Sequence, residues 1–230
     1  MKPEFRNDLL YLLRAAAVFL LASIAAGGVF YLLLAEIRRH QNIVEGGLVE
    51  SAQIAALALS VAAFAVQARR DRAVPRAFAL VSLAALAMLV RELDAVFDRA
   101  LFHGAWFLVD AGVLAAFVAV ALRRPADTAA QLARFVRTPQ CLLFVTGVAF
   151  AVVVAQLVGY KELWNRIFDI ELWNEARAPH LLEDGCLPKD LDIARHVKNT
   201  AEEALELGSY LMVLAAAVVP PLLRRRGAAD

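Results

Sequence analysis

The residues best suited to chemistry in this chain are carboxylates, histidines and one arginine, set at helical spacing at the ends of apolar runs. In HVKNTAEEALELGSY, the side chains of His196, Asn199, Glu203, Glu206 and Tyr210 fall within an arc of about 80°. RELDAVFD places Arg91, Asp94 and Asp98 on one face at i, i+3 and i+7, with Glu92 directed elsewhere. HGAWFLVD repeats the geometry with His103, Trp106 and Asp110, and EGGLVESAQ puts Glu50 and Gln53 on a common face. Hard carboxylates with imidazoles can hold a divalent ion, activate its bound water and polarise an ester or phosphoester. On that chemistry Arg91, Asp94, Asp110, Glu203 and Glu206 are the expected catalytic groups. Asp98, His103 and His196 are the expected ligands of a divalent metal, and Glu50, Gln53, Asn199 and Tyr210 line the rest of the pocket. HExxH, HxxxH and ExxH spacings are missing, so the metal expectation rests on residue type and not on a motif.

The elements that carry these residues are membrane spans. A chain that is 61% hydrophobic with a mean hydropathy of +0.60 lies outside the range of soluble domains. A hydrocarbon core of about 30 Å needs about 20 helical residues. Six stretches approach that length: 15–35, 48–68, 76–96, 104–122, 141–159 and 203–223. The first and fifth are clean, while the other four reach spanning length only when polar residues at one end are included. The expected fold is therefore all-α, a single transmembrane domain of six helices. The apolar run after the basic N-terminus is about as long as a span and lacks a convincing cleavage context, so it reads as a helix and not a signal peptide.

Orientation follows from the loops. Arg69, Arg70, Arg72 and Arg76 lie between spans 2 and 3, Arg123, Arg124, Arg134 and Arg137 between spans 4 and 5, and Arg224, Arg225 and Arg226 near the C-terminus. Positive residues mark the cytoplasmic side, which predicts both termini inside, in a bacterial cytoplasmic membrane. Of the 23 acids, 18 then fall on the opposite side, with all four histidines and all three tryptophans. The long outer segment 160–200 contains ELWN twice, with Trp164 and Trp173 on nearly one helical face. It reads as an interfacial anchor, or as a lid over an outer cavity. The formal net charge of +1 gives no reason to expect a nucleic acid. The expected partners are the bilayer and a lipid or headgroup substrate. Two distant cysteines, Cys141 and Cys186, make neither a disulfide framework nor a CxxC metal site.

Depth separates ordinary helix capping from intramembrane charge. Asp110 is roughly 20 Å above the cytoplasmic arginines and Arg91 roughly 22 Å, nearly one level in neighbouring helices. An Arg91–Asp110 ion pair is expected, because an unpaired charge there costs about 3 kcal/mol on insertion scales. Asp98 is expected opposite His103 across the same hairpin, and Lys198 is expected to pair locally with Glu202. Spans 1 and 5 carry no ionisable group within the membrane and read as lipid-facing walls.

EGGLVE heading span 2, RELD closing span 3 and KxxxEExLELxxY opening span 6 together resemble the signature of a group of uncharacterised bacterial multi-pass inner-membrane proteins. The resemblance covers most of the chain in order, and implies a location without an activity. Glu50-Ser51, Asp94 and His196 are also faintly similar to the zinc site of the ceramidase and progestin-receptor-like membrane hydrolases. That family's paired histidines in the last helix and its seventh span are missing here. Three functions remain in contention: an outer-leaflet hydrolase or transferase, a proton- or cation-coupled transporter, and a scaffold without chemistry.

Overall fold

The computed structural model describes residues 47–160 and 193–223, together with residues 27–36, scattered positions from 13 to 25, and residues 162 and 164. Among the described residues every element is a helix. They are α1 (Ser23–Glu36), α2 (Leu48–Arg70), α3 (Pro75–Glu92), α4 (Asp94–Ala100), α5 (Ala105–Leu122), α6 (Pro125–Val136), α7 (Pro139–Ala149), a π-helical stretch (Phe150–Ala155), α8 (Gln156–Val158) and α9 (Ile193–Leu223). Three of these are long and apolar enough to cross a membrane: α2, α5 and the continuous run Pro139–Val158. Both α3 and α9 carry charge at their ends, Arg76, Arg91 and Glu92 in the one, Glu202, Glu203 and Glu206 in the other.

Side-chain contacts fix the directions. Gln53 reaches Glu203 and Gln67 reaches the carbonyl of Ala217, so α2 and α9 run parallel with one register over their shared length. The α3 helix returns antiparallel to α2, its Ser82 hydroxyl donating to the Val61 carbonyl at 3.0 Å. The Pro139–Val158 run returns antiparallel to α9. Gly147 lies against Ser209 and Val213, and Gln156 against Glu206. The polar residues therefore segregate to two ends. Between them Phe64 stacks on Phe78 with centroids 6.4 Å apart and meets Phe144 edge-on at 5.7 Å, while Phe78 meets Phe135 at 5.5 Å. This aromatic layer fills the arginine-side half of the bundle.

Two sequence expectations are corrected here. The span-5 helix is more than an outward wall: Leu142, Val145, Val152 and Leu157 are exposed, while Gly147, Ala151 and Ala155, spaced by four, are buried and let α9 approach closely, as small residues do between membrane helices. Span 1 also reaches inward, since Glu36 is fully buried and its Oε2 accepts the Val49 amide at 2.8 Å. That contact satisfies one of the orphan amides at the start of α2, where Gly47 offers no side-chain cap. The α5 helix faces outward over most of its surface, exposing Phe107, Leu108, Leu114 and Leu122.

The loop expected between spans 4 and 5 contains a helix, α6, whose Thr128 and Phe135 are buried against the bundle. It folds back because it completes the start of α3. Pro75 opens that helix, and the free Arg76 amide donates to Gln131 Oε1 of α6 at 2.8 Å.

A carboxylate cluster between α3 and α9

Three glutamates meet at the acidic end of the bundle. Glu206 of α9 is buried; its Oε1 accepts from Gln156 Nε2 at 3.1 Å and lies 3.6 Å from Arg91 Nη2. Glu92, the last residue of α3, accepts the Tyr210 hydroxyl at 2.7 Å. Glu203 Oε2 accepts Gln53 Nε2 at 2.9 Å, and the same amide reaches the Glu203 carbonyl at 3.4 Å. Glu92, Glu203 and Glu206 lie within electrostatic reach of one another, and Glu50 of α2 within reach of Glu92 and Glu203. Among the described residues Arg91 is the cation that pairs with Glu206 and lies within electrostatic reach of Glu92, with its side chain 47% exposed. A long arginine can do this, lying along an apolar helix with its guanidinium reaching wetter ground.

Local structure explains why these groups converge. Leu93, with φ −96° and ψ 12°, ends α3 and separates it from α4. Arg91 and Glu92, ahead of that break, reach Glu206 and Tyr210 of α9, and Asp94 beyond it is left exposed. The π-helical stretch in the span-5 helix inserts wider turns immediately before Gln156, and such turns redirect the side chains that follow them. Glu203, Glu206 and Tyr210 come from the one α9 stripe that the sequence indicated.

Several expectations fall differently. Arg91 pairs with Glu206 and not with Asp110, because the depth count set the level of each residue but not its direction around the helix. Asp110 is half-buried on α5, which packs on α3, and its buried Oδ1 has no hydrogen-bond partner among the described residues. Glu92, read as pointing elsewhere, is a central member. Gln156 and Glu36 were missed. The Gly147, Ala151, Ala155 spacing was the signal for Gln156, since it marks the face of span 5 that meets a helix. Nothing in the sequence marked Glu36 beyond a charge at the end of an apolar run.

The Asp98–His103 pairing is observed. His103 Nδ1 lies 2.6 Å from Asp98 Oδ2, and Asp98 Oδ1 accepts the Gly104 amide at 2.8 Å. Gly104 adopts φ 85°, the left-handed conformation that lets the chain enter α5 beneath the carboxylate. The His103 side chain is 97% exposed, so Nε2 faces outward from an oriented ring. The dyad shares no hydrogen bond or ion pair with the glutamate cluster among the described residues. Lys198 pairs with Glu202 at 3.4 Å, as expected.

The hydrogen bond from the Gly104 amide, then that with His103, holds the Asp98 carboxyl below its usual range. A carboxyl depressed in the folded chain contributes to the order of this turn above its unfolded pKa. That contribution is lost as pH falls through the lower folded value. Hydrogen exchange at Gly104 is therefore expected to stay slow near neutrality and to quicken at strongly acidic pH, after correction for the intrinsic rate. Asp98→Asn should flatten that profile; an unchanged profile in the variant would remove Asp98 from the turn's control.

A divalent metal fits the described residues poorly. No three histidine, cysteine, aspartate or glutamate side chains among them converge as ligands of one ion. The side chain of His196 and most of the Trp164 to Trp173 segment lie outside the described residues. Comparison with protein-family models, curated proteins and solved structures finds no match to this chain.

Proposed function

We propose that the chain is a six-span protein of a bacterial cytoplasmic membrane, with both termini inside, belonging with the inner-membrane group its motifs resemble. In this reading it is a hydrolase or transferase acting on an ester or phosphoester at the outer leaflet. The observation that carries the reading is the one-sided gathering of Glu92, Glu203 and Glu206, with the Arg91 guanidinium against Glu206 and the Phe64, Phe78, Phe144 layer behind them. Directions support the span count, because α2 and α9 run parallel, as spans 2 and 6 of an up-and-down bundle must. A polar centre closed from one side by aromatic packing suits chemistry on a substrate that arrives and leaves by the other.

The roles follow from charge and position. Arg91 is half exposed at the edge of the cluster and holds an anionic substrate group, for which a planar guanidinium is well shaped. Glu206, held by Gln156 and Arg91, is the general base, and Glu203 the neighbouring carboxyl that exchanges protons with it. Tyr210 and Gln53 position Glu92 and Glu203. No step is routed through a metal, since the described carboxylates do not form a ligand set for one ion.

The test is turnover of a panel of phospholipid esters and phosphoesters by the purified chain in detergent micelles. Glu206→Gln keeps the shape and is expected to lower kcat by about 10²- to 10⁴-fold, the usual share of a general base. Folded wild-type protein without turnover on the panel, or a fully active Glu206→Gln, would overturn the reading. A second function, proton- or cation-coupled transport, is favoured by the π-helical stretch beside Glu206, a feature of helices that change register. Proton flux into liposomes, abolished by the same substitution, would select it.

A further inference from the structure

The end of the bundle opposite the glutamates carries a second arrangement that the proposed chemistry does not use. The turn between α2 and α3 supplies Arg69, Arg70 and Arg72, with Arg76 opening α3. Arg123 and Arg124 close α5, while Arg134 and Arg137 sit at the end of α6. Because α6 packs on α3, α5 and α7, these turns are brought to one surface. Among the described residues two acids share that surface, and both are occupied. Asp127 lies 3.7 Å from Arg76 and 3.9 Å from Arg124, and Asp71 Oδ1 accepts the amides of Ala73 and Val74. Arg134 donates to the Ala73 carbonyl at 3.4 Å, tying α6 to the α2–α3 turn. Arg69, Arg70, Arg72, Arg123 and Arg137 are exposed, and their side chains make no hydrogen bond or ion pair among the described residues.

We propose that this surface binds the headgroups of anionic phospholipids, with α6 lying at the boundary between headgroups and acyl chains. The inference rests on the membrane reading above. Two structural features favour a lipid over another polyanion. First, the arginines continue an apolar surface: Leu122, 66% exposed at the end of α5, is followed directly by Arg123 and Arg124. A single anionic lipid can satisfy both, its chain along α5 and its phosphate on the guanidinium groups. Second, α6 is not a solvated helix. Its inner face buries Phe135 and Thr128, and its outer face presents Ala126, Ala129, Ala130, Ala133 and Val136, with Arg134 and Arg137 at the edge. Small apolar residues bordered by arginine suit a shallow position in the interface. Guanidinium groups bind phosphate oxygens in pairs, and juxtamembrane basic clusters draw anionic lipids over about a Debye length.

The experiment uses the full chain purified in a neutral detergent, with thermal unfolding followed as phosphatidylglycerol, phosphatidylcholine or inorganic phosphate is added. Phosphatidylglycerol is expected to raise the midpoint, less so at high salt, while phosphatidylcholine and phosphate do not. An Arg69→Gln, Arg123→Gln, Arg137→Gln variant is expected to bind phosphatidylglycerol at least about tenfold more weakly. Equal effects of the two lipids, reproduction by phosphate alone, or an unchanged response in the folded triple variant would overturn the proposal. Should that variant fail to fold, the wild-type comparison still decides. Alkaline carbonate extraction of membranes tests the underlying reading separately. A chain released by carbonate is not integral, whereas one retained without lipid preference refutes only the headgroup site.

Discussion

Gly147→Val is expected to destabilise the bundle more than any other single addition of volume in the span-5 helix. A Cβ on Gly147 would stand 2.9 Å from the Ser209 carbonyl oxygen, 3.0 Å from Val213 Cγ2 and 3.2 Å from Met212 Cβ. The first contact is backbone, so no rotamer change relieves it and the two helices must separate. Overpacking of this kind costs about 1–3 kcal/mol for an added methylene or two, and a branched side chain belongs at the upper end. Separation would also withdraw Gln156 from Glu206, joining a packing defect to the candidate site. Gly208→Ala is the control. A Cβ there meets nothing within 4 Å, so it should be neutral or add up to about 1 kcal/mol of helix stability. Denaturant titration in detergent measures both. Equal stability of Gly147→Val and wild type would show that α7 and α9 are not in contact as described.

The second large effect concerns the Arg91–Glu206 pair, where order of removal matters. Arg91→Gln leaves a buried carboxylate with Gln156 as its remaining partner. Breaking a fully buried pair costs about 3–5 kcal/mol; half exposure of Arg91 brings the expectation to about 1–3 kcal/mol. Glu206→Gln removes the buried carboxyl while keeping its shape and leaves Arg91 free to turn to water, so it should cost less. The double variant should then resemble Glu206→Gln alone. A double-mutant cycle on unfolding free energies reads the coupling directly. Losses that add within about 0.5 kcal/mol would mean the two residues do not interact, and Arg91 would lose its assigned place at the site.

The two predictions mark where sequence reasoning succeeds and where it stops. The α9 stripe was legible because helical periodicity is local: Glu203, Glu206 and Tyr210 share a face whatever packs against it. The Asp98–His103 contact and the Lys198–Glu202 pair were legible for the same reason, each spanning at most one turn or one tight loop. The Arg91–Asp110 pair failed because it depended on a relation between helices. Rise per residue sets depth, but a helix can present a residue at a given depth in any direction. The break at Leu93 then left Asp94 exposed, while Glu92, ahead of the break, meets Tyr210 of α9. Gln156 lay within reach of inference through its glycine and alanine spacing, whereas its partner Glu206 was knowable only once the two helices were placed together.

By itself, then, the amino-acid sequence determined the all-helical class, the apolar segments and the segregation of arginine from carboxylate, since these depend on composition and local period. Only the tertiary structure decided which carboxylates meet, that one arginine stands among them, and that Glu36 caps α2 from another helix. Those relations depend on rotation, close approach and the interruption of helical phase between segments distant in the chain, and no local pattern encodes them.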